Sequence, residues 1–166
     1  MIIDCHGHYT TAPKALEEWR NKQIANLNTP SLGPKVADLK ISDDELRESI
    51  EANQLAKMQE RGIDLTIFSP RASFMAHHIG DFNTSATWAA ICNELCYRIS
   101  QLFPNQFVGA AMLPQSPGVD PKSSLPEMEK CIKEYGFAGI NLNPDPSGGH
   151  WQEPQIGRAS CRERVS

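Results

Sequence analysis

Met1-Ile2-Ile3-Asp4-Cys5-His6-Gly7-His8 opens the chain and reads as a short apolar strand that ends in two histidines. Side chains alternate between the two faces of a strand. Asp4, His6 and His8 are therefore expected on one face, with Ile3 and Cys5 on the other. Two imidazoles two residues apart on one face can reach a single metal ion, and neutral imidazole is a common metal ligand. Gly7 takes away bulk between them. The competing reading is a strand end with two solvated histidines.

Working outward from this stretch, strand and helix signals alternate. Thr11-Ala12-Pro13 starts a short helix through Ile24, with proline in its first turn. Residues 27–39 hold Pro30, Gly33 and Pro34 and read as a loop at a surface or over a site. Ser42-Asp43-Asp44-Glu45 is a capping box, and Leu46, Ile50, Leu55 and Met58 follow as an apolar stripe at helical spacing. Gly62 is placed to end that helix. Leu65–Phe68 is a second strand, followed by a loop over Ser69-Pro70-Arg71-Ala72-Ser73. The spacing of Trp88, Ile91, Leu95, Ile99 and Leu102 predicts a helix over 85–103, stopped by Pro104. Strand three is expected over 107–113, a helix over 124–135 with Gly136 as its cap, and strand four over 137–142.

This β-α-β-α-β-α-β order with apolar strands implies a parallel sheet with helices outside it. It closes either as an open doubly wound sheet or as a barrel, and in both the ligand sits at the carboxyl ends of the strands. The chemically interesting residues all fall there: His6 and His8, Arg71, Pro114-Gln115, Asn141 and Asn143. No G-x-G-x-x-G follows strand one, so a dinucleotide site has no support.

The far end reads differently. Ile156-Gly157-Arg158-Ala159-Ser160-Cys161-Arg162-Glu163-Arg164-Val165 is the translation of ATC GGA AGA GCG TCG TGT AGG GAA AGA GTG, part of a common sequencing adapter. The expected organisation is one partial barrel domain over 1–155 and a non-native tail over 156–166. The chain has 16 Lys and Arg against 20 Asp and Glu, a net charge of −4. Without Arg158, Arg162, Arg164 and Glu163 the balance is 13 against 19, or −6. An acidic chain with no basic stripe argues against nucleic acid and anionic membranes as partners. No apolar run approaches a membrane span, and no signal peptide precedes strand one, so the expected location is cytoplasmic. Cys92 and Cys96 are spaced i,i+4 and there is no C-x-x-C, which fits free thiols in a reducing compartment.

An opening strand ending in H-x-H, followed by βα units, resembles the amidohydrolase superfamily of metal-dependent (β/α)8 barrels. Three stretches resemble its 4-oxalomesaconate hydratase family more closely, in the branch that also holds aminocarboxymuconate-semialdehyde decarboxylases. They are Met1–Pro13, Phe68–His78 (with S-P-R-A-S-F-M-A-H-H as its most specific part) and Gly139–Trp151. The resemblance implies an α/β fold, the N-terminal half of a TIM barrel, and a zinc-dependent hydro-lyase. Such an enzyme adds water to 4-oxalomesaconate, giving 4-carboxy-4-hydroxy-2-oxoadipate, in protocatechuate or gallate breakdown.

By the family's pattern His6 and His8 would be zinc ligands. The remaining ligands and the general base would lie beyond strand four. Four strands are half of a barrel, so a chain of this length is expected to be inactive by itself, its parent a homo-oligomer. The choice of zinc over manganese or iron rests on the resemblance, since two imidazoles do not select a metal. A tricarboxylate needs cationic anchors, and the Arg71 guanidinium can grip a carboxylate through two hydrogen bonds. His77 and His78 are candidates for the same mouth, with a polar surface pair as the alternative. Asn141 and Asn143 bind substrate or hold their loop. Asp4 is a candidate to orient an imidazole from behind. Two other readings stay open: a metal-dependent decarboxylase or hydrolase of the same superfamily, and a non-catalytic α/β binding module.

Overall fold

In the computed structural model, which describes residues 1–71 and 79–142, four strands lie side by side. They are β1 (Ile3–Tyr9), β2 (Leu65–Pro70), β3 (Phe107–Met112) and β4 (Gly139–Asn141), all parallel and in chain order. A doubly wound sheet must reverse its strand order at a switch point. The unbroken order seen here is that of a barrel wall, and the described residues form a half-barrel.

Parallel neighbours need crossover connections, and these run right-handed, so the helices collect on one face. They are α1 (Lys14–Ala25), α2 (Asp43–Ile50), α3 (Ala56–Arg61), α4 (Phe82–Leu102) and α5 (Leu125–Lys133). The core lies between them and the sheet. Phe68 sits at its centre, its ring centroid 5.6 Å from that of Tyr9 and 4.8 Å from that of Phe107. Leu46, Ile50, Ile99 and Met112 pack fully buried in the same cluster.

Local signals act as the residues dictate. Ser42 Oγ accepts the Glu45 N–H and the Glu45 carboxylate accepts the Ser42 N–H at 2.7 Å, the predicted capping box. These hydrogen bonds favour the ionised carboxylate and hold Glu45 below the usual glutamate range. Gly62 ends the helical run at φ 64°, a conformation that costs other residues a Cβ clash. Between α2 and α3 the helix widens into one π turn over Glu51–Leu55.

Several boundaries differ from the sequence reading, two of them for a visible reason. Helix α4 starts at Phe82 rather than 85, because Asp81 caps it, its Oδ1 accepting the Thr84 N–H at 2.8 Å. Strand β4 is shorter than 137–142, because Phe137 turns into the core; a Cβ on Gly109 would meet its ring at 2.1 Å. The loop over 27–39 holds two short 3-10 turns, and its second half and the residues just after it are tied down. Trp19 Nε1 donates to the Lys35 carbonyl at 2.9 Å, and Arg98 donates to Asp43 and to the Ile41 carbonyl.

One polar side chain joins the helix layer to the site end of the sheet. Asn93, fully buried on α4, accepts the Met112 N–H and donates to the Met112 carbonyl, each at 2.9 Å. Its amide also donates to Glu127 on α5 at 2.8 Å. Asn93→Ala is expected to cost at least ~2 kcal/mol in urea denaturation, because two buried backbone groups lose their partner. The thiols give a second check. Cys92 and Cys131 are buried, and desolvation pushes both up to about 12, with Cys96 also raised. A thiol reagent at pH 8 is expected to label the exposed Cys5 quickly and to reach Cys92, Cys96 and Cys131 only on unfolding.

Candidate functional site

The strand register brings the carboxyl ends of β1 and β2 together. His8 is level with Ser69, and Tyr9 with Pro70. Phe68 points into the helix-covered core, so Ser69 points to the opposite face, the one a closed barrel would enclose. On that face a polar line crosses the sheet. His8 Nδ1 lies 2.8 Å from Ser69 Oγ and 3.2 Å from the Pro70 carbonyl. Asn141, at the end of β4, donates its side-chain N–H to Ser69 Oγ at 3.2 Å. The ring of His6 stands edge-on to that of His8, with centroids 4.7 Å apart.

The simple alternation expected for β1 does not survive intact. Asp4 is level with Thr66 and Gly7 with Phe68, so β1 advances three residues while β2 advances two. The extra residue is a bulge, which bends a strand and re-aims its side chains. Asp4 spans it: its Oδ1 accepts the backbone N–H of His6 at 3.0 Å. The described contact of this carboxylate is thus with the main chain at the bulge, while the rings of His6 and His8 remain neighbours. Gly7 also has a different reason from the one its neighbours suggested. A Cβ there would meet Thr66 Cγ2 on β2 at 2.1 Å and the Ile67 carbonyl at 3.1 Å. Glycine is required by the close approach of two strands.

Arg71 follows directly on β2 and is exposed at the same end of the sheet. Pro114 and Gln115 belong to the scaffold. The Gln115 N–H donates to Ser85 Oγ at 3.0 Å, and the Pro114 carbonyl accepts the Ser124 hydroxyl. Tyr9 is a core residue, its hydroxyl 2.7 Å from Ser49 Oγ, and burial pushes its phenol above the ordinary range. His77, His78, Asn143 and the stretch 156–166 lie outside the described residues.

Two contributors were missed by sequence reading. Ser69, expected in a loop, instead continues the alternation of Leu65–Phe68 and stands near the end of β2 on the site face. Gln54 falls inside the helix expected after Ser42 and carries no motif of its own. It lies in the π turn, donates to the His8 carbonyl at 3.4 Å and accepts the Thr11 hydroxyl at 2.7 Å. Single π turns recur at functional sites because the extra residue re-aims a side chain. No sequence signal marks this one.

The donor chemistry suits a divalent transition metal. His6 and His8 offer imidazole nitrogens side by side, and the engagement of His8 Nδ1 leaves Nε2 for a ligand bond. Among the described residues no group of three or more His, Cys, Asp or Glu converges on one point, so the pair would need further ligands to hold a metal. A cleft of about 400 Å³ elsewhere, lined by Val36, Leu39, Lys40, Ile91 and Arg98 among others, includes none of these site residues. Among the described residues no helix is long and apolar enough to cross a membrane.

A parallel barrel wall with paired imidazoles at the carboxyl end of its first strand defines a barrel protein with its site at the strand ends. The family model described as amidohydrolase matches residues 3–163, and the chain belongs to that family. It is 55% identical over 156 residues to 2-keto-4-carboxy-3-hexenedioate hydratase from Sphingobium sp., covering 94% of this chain and 45% of that protein. The crystal structure of 4-oxalomesaconate hydratase from Rhodopseudomonas palustris superposes with a TM-score of 0.87 at 69% identity, covering 98% of this chain and 49% of that one. Dihydroxybenzoic acid decarboxylase from Polaromonas sp., solved with bound manganese, follows at a TM-score of 0.57 and 25% identity, covering 86% of this chain and 38% of that one. The chain spans about half the length of the two hydratases.

The bulge makes one prediction. Gly7→Ala is expected to push β1 from β2 and to cost about 1–3 kcal/mol in urea denaturation. Pairing it with Thr66→Ser, which removes the clashing methyl, is expected to recover part of that loss.

Proposed function

We infer that this chain forms the N-terminal half of a hydro-lyase that adds water across the carbon–carbon double bond of 4-oxalomesaconate, in the breakdown of aromatic compounds. The identity to two hydratases, 55% and 69%, carries this reading. The decarboxylase reading draws on a relationship at 25% identity and has the weaker support.

The reaction places a hydroxyl on one alkene carbon and a proton on the other. His6 and His8 would hold a divalent cation, zinc in our reading, next to the strand ends. When bound, such a cation supplies Lewis acidity, lowering the pKa of a water or polarising a substrate oxygen. Arg71 stands at the same mouth and binds a substrate carboxylate through the two N–H groups of its guanidinium. Asn141 hydrogen-bonds Ser69 and shapes the floor of the site. His77, His78 and Asn143, which lie outside the described residues, we assign to substrate contact. The group that moves the proton and the ligands that complete the metal shell lie in the part of the fold corresponding to the second half of the relatives. By itself, a half with two imidazoles is expected to bind zinc weakly and to turn over nothing measurable.

The test uses the full-length polypeptide that carries this sequence. Purified with its metal, it is expected to hydrate 4-oxalomesaconate, followed by loss of the conjugated absorbance. Arg71→Ala is expected to raise KM roughly 10–100-fold through the lost charged hydrogen bonds, while His6→Ala and His8→Ala lose bound metal and turnover together. Decarboxylation of an aromatic acid with no hydration would overturn the reading.

A further inference from the structure

The proton positions around Ser69 are fixed by counting. A serine hydroxyl has one hydrogen to give and two lone pairs to accept with. Ser69, 4% exposed, has three polar neighbours: the Gly7 carbonyl at 3.3 Å, His8 Nδ1 at 2.8 Å and the Asn141 amide nitrogen at 3.2 Å. The Gly7 carbonyl can only accept and the Asn141 N–H can only donate. The Ser69 hydrogen therefore goes to Gly7, and both lone pairs receive, one from Asn141 and one from His8. The Pro70 carbonyl, 3.2 Å from the same Nδ1, requires the same answer, since two acceptors at that distance repel. Reversing the serine would set the Nδ1 lone pair against the Pro70 oxygen and give up the Ser69 hydroxyl's contact with the Gly7 carbonyl.

We propose that Ser69 is a positioning residue: with the Gly7 and Pro70 carbonyls and the Asn141 amide, it holds His8 as the Nδ1–H tautomer, so that Nε2 is the nitrogen available to a metal. The proposal rests on the metal reading of the histidine pair. It adds a residue to the site and gives Asn141 a task besides substrate contact. The device spans the wall, because Asn141 on β4 reaches past β3 to Ser69 on β2, which in turn meets His8 on β1. Ring orientation at His8 thus depends on three strands being correctly paired. A hydrogen bond to the far nitrogen of a ligating histidine fixes its tautomer and raises its basicity, and losing such a partner typically weakens metal binding roughly 10–100-fold.

The experiment uses the full-length polypeptide, labelled with nitrogen-15 histidine and freed of metal, with His8 assigned by comparison with His8→Gln. The expected spectrum shows a protonated Nδ1 and a bare Nε2 for His8. In Ser69→Ala the His8 signals are expected to shift toward a tautomer mixture, and zinc affinity, measured against a chromophoric chelator, to fall roughly 10–100-fold. Ser69→Thr keeps the hydroxyl and is expected to retain the native signals. An Nε2–H tautomer in the unsubstituted protein overturns the proposal without needing any variant. Unchanged zinc affinity in Ser69→Ala overturns it as well. If the unsubstituted protein binds no zinc, the metal reading itself falls, and the metal-free spectrum tells that failure apart from a wrong tautomer.

Discussion

Parallel pairing is the constraint on which the rest depends. Strands that run the same way cannot be joined by a tight turn, so each connection must return over the sheet. With every crossover on one side, helices α1 to α5 bury one face and leave the other for the interior of the fold. All four carboxyl ends then point the same way. That alone puts His8, Ser69, Arg71 and Asn141 at one end of the molecule, although they are spread over more than a hundred residues of sequence.

Within that frame, the site is tuned by two irregularities. The bulge in β1 re-aims the histidines and needs Asp4 to hold the loosened backbone N–H of His6. The π turn after α2 turns Gln54 toward the carbonyl of His8. Each places a polar side chain on a main-chain group beside the imidazoles. Both leave the ring nitrogens to the opposite face, where Ser69 and the Pro70 carbonyl engage one of them. The helix layer is coupled to the same end through Asn93, which copies the hydrogen bonds of a neighbouring strand against Met112.

Much of the scaffold was legible because it is written in short-range signals. The capping box at Ser42, the left-handed Gly62 and the stripe Leu46, Ile50, Leu55 and Met58 are local to one stretch of chain, and each stands where the residues place it. The start of helix α4 is hard to read from sequence because Asp81 caps through a side chain whose strength depends on the local turn. Strand β4 is shorter than its composition suggests because Phe137 has the character of a strand residue while its ring is claimed by the hollow over Gly109. His6, His8, Arg71 and Asn141 were legible as candidates, since strand ends in a parallel sheet are where ligands bind.

The amino-acid sequence by itself determined the order of elements, the parallel wall and the chemical character of the strand ends, because hydrophobic period, caps and breakers are local properties of the chain. The tertiary structure alone decided which side chains meet. Gly7 is glycine because Thr66 is adjacent, and Ser69 is a partner of His8 because two strands 61 residues apart fall into one register. The bulge that offsets Asp4 from His8 exists only as a mismatch between two paired strands, so neither strand read alone contains it.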